Sequence, residues 1–202
     1  MSQIHFNFDH RKATQALNHF AMLEGGLINK MKALKLIYLA DRYHLRKYGR
    51  LITNDIYFAM NYGPVSSSVK DIAENSEFLG EMEKRYAARY ISPNPKGRHE
   101  LKSKTDPDTD VFSDSDIEAL NFAWDTFSHL DQFKLAEITH NYPEWAKHRE
   151  ALKFDSRIQM DLSDFLDDPS SDINKCFELT EDDKRARRDH LHETFHIESL
   201  WS

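Results

Sequence analysis

The spacing of apolar residues predicts a mainly helical protein built around one central helix. That helix is expected over residues 29–48, with Gly49 as its end. Apolar residues occupy two of its sides and leave a narrow polar stripe that carries Lys35, Arg42 and Arg46. Because a helix that is apolar on two sides must be covered on both, we place it at the centre of the fold.

Shorter elements are expected on both sides of this helix. An amphipathic helix at 13–23 precedes it, and alternating apolar residues at 56–62 predict an extended segment before Gly63-Pro64. Pro64 suits the first turn of a following helix, where its missing amide would be unpaired anyway. The other predicted elements are a hairpin at 86–92 and 98–104 and helices after Ser113, at 133–140, from Pro143 and at 181–199. The predicted fold class is α+β, mainly α with a small antiparallel β element, in a single compact helical domain with a C-terminal helical extension.

Asp41 lies in the middle of an apolar face of the central helix, between Tyr38 and Leu45. Burying a carboxylate without a partner is costly. Two interpretations stay open: a structural anchor bonded to backbone amides or to a basic neighbour, and a functional acid. As an anchor, Asp41 is expected to tie the helix to the turn at 62–64.

Composition places the 202-residue chain among globular proteins. It is 40% hydrophobic and 30% charged, and its longest aliphatic run is far shorter than a membrane span. The N-terminus lacks the basic flank and apolar run of a signal peptide, so we expect a cytoplasmic protein without a membrane partner. The single Cys176 excludes an internal disulfide and a multi-cysteine metal site.

Charge is divided between the two halves of the chain. Residues 1–105 carry 17 Lys/Arg and 10 Asp/Glu, whereas residues 106–202 carry 10 and 24. Either the halves pack and partly neutralise each other, or one of them meets a charged partner. The stretch after Asp155 is expected to be a solvated tail or a surface that meets a positively charged partner. Its acidic cluster consists of Asp161, Asp164, Asp167, Asp168 and Asp172.

The sequence HETFH near the C-terminus matches the zinc-protease pattern. His192 and His196 lie one helical turn apart, and Glu193 stands where the general base would be. Zinc catalysis needs a third protein ligand, and Glu198 in the remaining residues points away from the metal-binding edge of the helix. We therefore expect no bound metal, and a zinc hydrolase is the weaker alternative.

No other catalytic pattern is present in the sequence, so no catalytic residue and no cofactor is expected. Residues 66–68 are three serines at a predicted helix start, which suits capping better than anion binding. The main alternative function is a small nucleic-acid-binding regulator that uses a basic patch from Lys30 to Arg50. Nucleic acid is not the expected partner, because no helix-turn-helix pair or zinc finger accompanies this patch.

Two stretches of the sequence are informative when they are taken together. The first is KALKLIYLADRYHLRKYGRLITNDIYFAMNYGPVSSSV at 32–69, which contains the leucine-rich helix, its Tyr-Gly stop and the Tyr-Gly-Pro-Val turn. The second is LAEITHNYPEWAKHR at 135–149. Together they resemble the Panacea domain of SocA-type antitoxins. The resemblance covers about residues 13–150 and leaves the acidic extension outside.

The resemblance implies a mainly helical antitoxin without enzymatic activity, of a kind often found beside phage-related genes. Such domains bind a cognate toxin and hold it inactive. Their toxins are chemically diverse and include RNA- or nucleotide-acting enzymes such as small alarmone-synthetase-like toxins. Some members deliver the toxin to a Clp-type protease.

The expected organisation is an N-terminal segment at 1–12, an antitoxin domain at 13–153 and an acidic extension at 154–202 that ends in a helix. The expected structural residues are Asp41, Gly49 and Gly63. The expected toxin-binding residues, of which the first five are predicted to line one face, are Tyr43, His44, Tyr62, Pro64, Val69, His140 and Trp145.

Overall fold

A computed structural model describes residues 8–169 and 178–201, apart from the side chains of Phe195 and residues 198–201. Over this part of the chain the fold has eight α-helices and two three-stranded antiparallel sheets, so the predicted α+β class is confirmed. Asp172, Cys176 and residues 1–7 of the expected N-terminal segment lie outside the described residues.

The elements alternate between helices and short strands. The helices are α1 (His10–Leu23), α2 (Lys30–Tyr48), α3 (Ser67–Glu74), α4 (Glu81–Tyr90), α5 (Asp114–Phe127), α6 (Gln132–Thr139), α7 (Pro143–Ala146) and α8 (Glu181–Trp201). The strands are β1 (Leu27–Asn29), β2 (Tyr57–Met60), β3 (Gly63–Ser66), β4 (Ile91–Asn94), β5 (Gly97–Ser103) and β6 (Arg157–Gln159). The sheets have the strand orders β1-β5-β4 and β3-β2-β6.

The central helix of the fold is α2, as its sequence predicts. Asn29 caps its start by accepting a hydrogen bond from the amide of Lys32 at 3.2 Å. Gly49 ends it in the left-handed conformation, at a φ of 80°, and donates its amide to the carbonyl of Leu45. Helices α1, α5 and α6 and strands of both sheets pack around it, which covers both of its apolar sides.

Two predicted boundaries were wrong, and the strands β1 and β6 were missed. Pro64 belongs to β3, an edge strand in which its missing amide is tolerated, and α3 begins only at Ser67. Helix α4 continues to Tyr90, so the predicted hairpin loses most of its first strand and consists of β4 and β5. Strands β1 and β6 were not predicted, because three residues are too few to show an alternating pattern.

Part of the segment after residue 153 belongs to the core. Strand β6 pairs with β2, and the side chains of Phe165 and Leu166 are fully buried. Helix α8 packs back on the body through Leu191, which is also buried. The domain boundary expected between residues 153 and 154 therefore lies within a packed region.

Acidic residues of the second half pair with basic residues of the first half. Asp116 on α5 accepts from Lys12 at 2.7 Å and from Arg50 at 2.9 Å, and Asp168 pairs with Arg46. These contacts favour the interpretation in which the two halves partly neutralise each other. The carboxylates of Asp116 and Asp168 are engaged within the fold and are not offered to a toxin.

Asp41 is a fully buried anchor, but its partners are not at the expected turn. Its carboxylate accepts from the amides of Ile52 at 2.6 Å and Thr53 at 3.3 Å, and from the hydroxyls of Thr53 and Tyr57, both at 2.7 Å. Burial raises the pKa of Asp41, and these hydrogen bonds act in the opposite direction. Asp41 therefore ties α2 to the segment at 52–57 rather than to the turn at 62–64.

Asp55, which the sequence did not single out, joins the same segment to α3. Its carboxylate accepts from the amides of Ser68 at 3.1 Å and Val69 at 2.8 Å, and burial raises its pKa to about 6. Free amides at a helix start attract anions. The anion position suggested by the three serines at 66–68 is thus occupied by a carboxylate of the chain itself.

Replacing Asp41 by Asn should destabilise the fold. The new NH₂ group would face hydrogen-bond donors, and a buried donor without an acceptor costs about 1–3 kcal/mol. We expect Asp41→Asn to lower the free energy of unfolding by roughly 2–3 kcal/mol and the Tm by about 5–10 °C, measured by urea and thermal unfolding. Asp125→Asn, at an exposed position of α5, is the control. Coincident unfolding curves for the two variants would contradict the anchor role.

Candidate functional site

The polar stripe of α2 is buried, which removes three cations from the basic patch expected from Lys30 to Arg50. Lys35, Arg42 and Arg46 are at most 2% exposed. The guanidinium of Arg46 donates to the carbonyl of Phe165 at 3.0 Å and pairs with Asp168. Lys47 and Arg50 are exposed, but they pair with Glu118 and Asp116 of α5. The surface on which the nucleic-acid alternative rested is therefore smaller and partly neutralised.

Arg42 is neutralised by Glu144, a residue that the sequence did not single out. Glu144 Oε1 accepts from Arg42 Nε at 2.7 Å and from the hydroxyl of Tyr38 at 2.5 Å, and all three side chains are buried. Burial raises the pKa of Tyr38, so its hydroxyl stays a donor. Tyr38 and Arg42 lie one helical turn apart, and a buried arginine requires a nearby carboxylate. The need of a buried arginine for a carboxylate is the signal that could have pointed to Glu144, and α7 supplies that carboxylate.

Two buried donors hold the β2–β3 hairpin from its inner side. Lys35 Nζ donates to the carbonyl of Pro64 at 2.7 Å, and the indole of Trp145 donates to the carbonyl of Met60 at 2.9 Å. These carbonyls stand on opposite sides of the turn. Lys35, and not Asp41, is therefore the residue of α2 that fixes the turn at 62–64.

Gly63 is required by the close packing beneath this turn. Its φ is 96°, and a Cβ atom there would lie 2.5 Å from Thr139 Oγ1 and 2.8 Å from Lys35 Nζ. Glycine alone reaches that backbone conformation without strain and without a collision. The turn is thus fixed on its inner side by α2, α6 and α7 together.

Most of the predicted toxin-binding residues are not on the surface. His44 and Val69 are fully buried, Pro64 is buried in β3, and Trp145 is 5% exposed. The two ring nitrogens of His44 bond to the carbonyl of Arg50 and to the hydroxyl of a serine on α5. Packing buries His44, Pro64 and Val69, so of the five residues predicted to line one face only Tyr43 and Tyr62 reach solvent.

Besides Tyr62, two of the predicted toxin-binding residues are only partly buried, His140 and Tyr43. Both contact neighbouring side chains. His140 stacks on Trp145 with the ring centroids 3.8 Å apart. Burial, and to a smaller extent the nearby charge of Lys35, lowers the pKa of His140 to about 4. The imidazole is therefore neutral at pH 7. Tyr43 is half-buried, stacks on Phe122 at 4.1 Å and donates its hydroxyl to a glutamate of α5. His140 supports the hairpin through Trp145, whereas Tyr43 belongs to the contact of α2 with α5.

Tyr62 is the predicted residue that reaches solvent most fully. It is 64% exposed at the tip of the β2–β3 hairpin. A large aromatic side chain on a fixed turn is a typical anchor of a protein interface.

The outer face of the sheet β3-β2-β6 forms a cleft of about 220 Å³ on the same hairpin. Phe58, Met60 and Val65 form its floor, because Tyr57 and Ala59 point to the opposite face and into the core. Phe78, in the loop between α3 and α4, forms a wall of the cleft and is 83% exposed. The sequence predicted the alternation of side chains along β2. It did not predict that the loop with Phe78 would lie beside the sheet and form a wall of the cleft.

The HETFH motif has no metal site around it. His192 and His196 are exposed on α8, and no group of three or more His, Cys, Asp or Glu side chains within the described ranges could hold a metal ion. The zinc-hydrolase alternative therefore lacks a third ligand in this part of the chain.

None of the helices in the described part of the chain is long and apolar enough to span a membrane.

The β2–β3 hairpin is held from its inner side, presents an exposed aromatic side chain at its tip and adjoins a cleft with an apolar floor. A family model described as "Antitoxin SocA-like, Panacea domain" matches residues 34–146, which is more than half of the chain. The chain therefore belongs to the SocA-like Panacea family of antitoxins, and the resemblance noted in its sequence is confirmed. No match was found among curated proteins or among solved structures.

Family membership supports an antitoxin role, implies a cognate toxin as partner and suggests a role without enzymatic activity. The matched segment extends from α2 to α7 and includes the hairpin with its supports. Strand β6 and helix α8 lie outside the match, although β6 completes the sheet that carries the cleft.

The buried amine of Lys35 should make stability depend on pH. Burial lowers the pKa of Lys35 to about 7, whereas an unfolded lysine titrates near its ordinary value of 10.5. Between these values the unfolded chain binds more protons, so the free energy of unfolding should rise with pH. From pH 7 to pH 9 we expect a gain of about 2 kcal/mol in the wild type relative to Lys35→Met, measured by urea unfolding.

Lys102→Met, at an exposed position of β5, is the control and should keep the wild-type pH profile. Parallel profiles for the wild type and Lys35→Met would contradict a lowered pKa of this amine.

Proposed function

We propose that the chain neutralises a cognate protein toxin by direct binding, and that Tyr62 and the adjoining cleft are the contact surface. This proposal rests on one observation at the β2–β3 hairpin: a large aromatic side chain is exposed there, while the backbone that carries it is held by hydrogen bonds from the core. Tyr62 and Phe78 are among the most exposed large apolar side chains of the described residues, and both belong to this region.

Fixation of the hairpin favours tight binding. A surface that is already ordered loses little conformational entropy when a partner docks. Here the backbone on both sides of Tyr62 is bonded to buried donors, Lys35 and Trp145, and Gly63 leaves no space for the turn to move inwards. Of the predicted binding residues, Pro64 and Trp145 therefore contribute by holding Tyr62 in place, and His140 supports Trp145 by stacking on it.

The toxin in this proposal is an RNA- or nucleotide-acting protein, such as a small alarmone-synthetase-like enzyme. The family implies a cognate toxin, and toxins of this kind are among those that the resemblance to SocA-type antitoxins implies. The contact in this proposal is between proteins, because Tyr62 and the cleft residues Phe58, Met60 and Phe78 offer apolar surface, and the cations Lys35, Arg42 and Arg46 of α2 are buried.

Delivery of the toxin to a Clp-type protease is an additional part of the proposal. An adaptor must offer a second accessible surface while it holds its cargo. The distal half of α8 is separate from the hairpin in sequence, and His192, His196 and Ile197 are exposed there. Degradation of the toxin by a Clp-type protease only when this chain is added would support the adaptor role, and equal degradation without the chain would refute it.

The toxin is to be sought in the adjacent open reading frame. Its product should arrest growth when expressed alone and should be harmless when co-expressed with the chain. Tyr62→Ala should abolish protection or raise the Kd of the purified complex by roughly 10- to 100-fold, because truncating a central aromatic anchor costs about 1.4–3 kcal/mol. Growth assays and isothermal titration calorimetry measure the two effects.

Leu23→Ala is the matched control, since Leu23 is a large exposed apolar residue at the end of α1, away from the hairpin in sequence. Its complex should keep the wild-type Kd. If Tyr62→Ala binds and protects as well as Leu23→Ala does, the hairpin is not the contact surface.

A further inference from the structure

The charged residues on the walls of the cleft differ in whether they have a partner. Lys70 on α3 donates to the carboxylate of Glu74 at 2.6 Å. Arg157 on β6 is exposed, and no ion pair or hydrogen bond joins its side chain to the described residues. Its guanidinium carbon instead lies 4.8 Å from the centre of the Phe58 ring, on the floor of the cleft.

This stacking prepares Arg157 to bind a carboxylate. A guanidinium that lies over an aromatic ring uses its flat face for the contact. Its N–H donors point outwards in the plane of the group and stay available for a bidentate pair with a carboxylate. The ring also limits the motion of the side chain, so less entropy is lost when the pair forms.

The size and polarity of the cleft indicate what lies beside that carboxylate. Its volume of about 220 Å³ is below the range of roughly 300–1,000 Å³ that is common for small-molecule pockets. Its floor of Phe58, Met60 and Val65 is apolar, which suits one large apolar side chain. Asp71, on the opposite wall from β6, disfavours a carboxylate there and directs it towards Arg157.

We propose that the cleft receives an apolar side chain of the toxin while Arg157 binds a carboxylate of the same toxin segment. This inference rests on the proposed function and specifies the toxin surface as acidic and apolar. An RNA- or nucleotide-acting toxin presents a positive surface to its substrate. An acidic segment lies outside that surface, so this contact holds the toxin without entering its active site.

The test uses the full chain and the purified product of the adjacent open reading frame. Arg157→Glu should raise the Kd at least roughly 100-fold, because it places two carboxylates together. Arg157→Lys should raise it roughly 10-fold, since lysine keeps the charge but loses the bidentate pair and the flat stacking face. Calorimetry at low and high salt should show a weaker salt dependence for Arg157→Glu than for the wild type.

Two further variants separate the two parts of the contact. Val65→Thr changes the floor from apolar to polar at similar volume and should weaken binding several-fold without changing the salt dependence. Arg98→Glu is the control for charge, because Arg98 is an exposed arginine on a strand of the other sheet, and its Kd should match the wild type. Circular dichroism establishes that each variant is folded.

The outcomes distinguish this inference from the proposed function. Unchanged or tighter binding by Arg157→Glu, with wild-type binding intact, would overturn the inference and leave the antitoxin function in place. Equal effects of Arg157→Glu and Arg98→Glu would also overturn it, because they would show a general charge effect. If the wild-type chain neither bound nor neutralised the neighbouring product, both would fail.

Discussion

The burial of charged side chains along α2 is the constraint on which the rest of the structure depends. Removing an ion from water is tolerated only where a partner of opposite charge or several hydrogen bonds compensate for the lost hydration. Asp41 has the segment at 52–57, Arg42 has Glu144 of α7, and Arg46 has the residues around Asp168. The elements around α2 are therefore arranged by polar partners as well as by apolar packing.

The sequence could reveal those features of the fold that depend on residues close to one another in the chain. The extent of α2 to within one residue, its stop at Gly49 and the start of α5 after Ser113 depend on neighbouring residues and were predicted correctly. The partners of Arg42 and Arg46 lie 102 and 122 residues away and leave no local pattern. For that reason a stripe of buried ion-pairing residues was interpreted as a solvent-facing surface.

At the candidate site, too, the sequence revealed local features but not the contacts between distant residues. The turn at 62–65 was recognised from its residue types, and Tyr62 is exposed there. The prediction did not separate side chains that reach solvent from those that keep the turn in place, since both kinds occur in one motif. Trp145 keeps the turn in place, whereas His44 bonds to the carbonyl of Arg50 and to α5, and Val69 is buried on α3. Phe78 and Arg157 were missed because their relation to the hairpin exists only in three dimensions.

The pairing of Arg46 with Asp168 has a consequence for synthesis of the protein. A ribosome adds roughly 5–20 residues per second, so 122 residues take on the order of ten seconds. During that time α2 has been made, but Arg46 lacks its carboxylate partner and the sheet lacks β6. The nascent chain is therefore expected to stay incompletely folded until translation has passed residue 168.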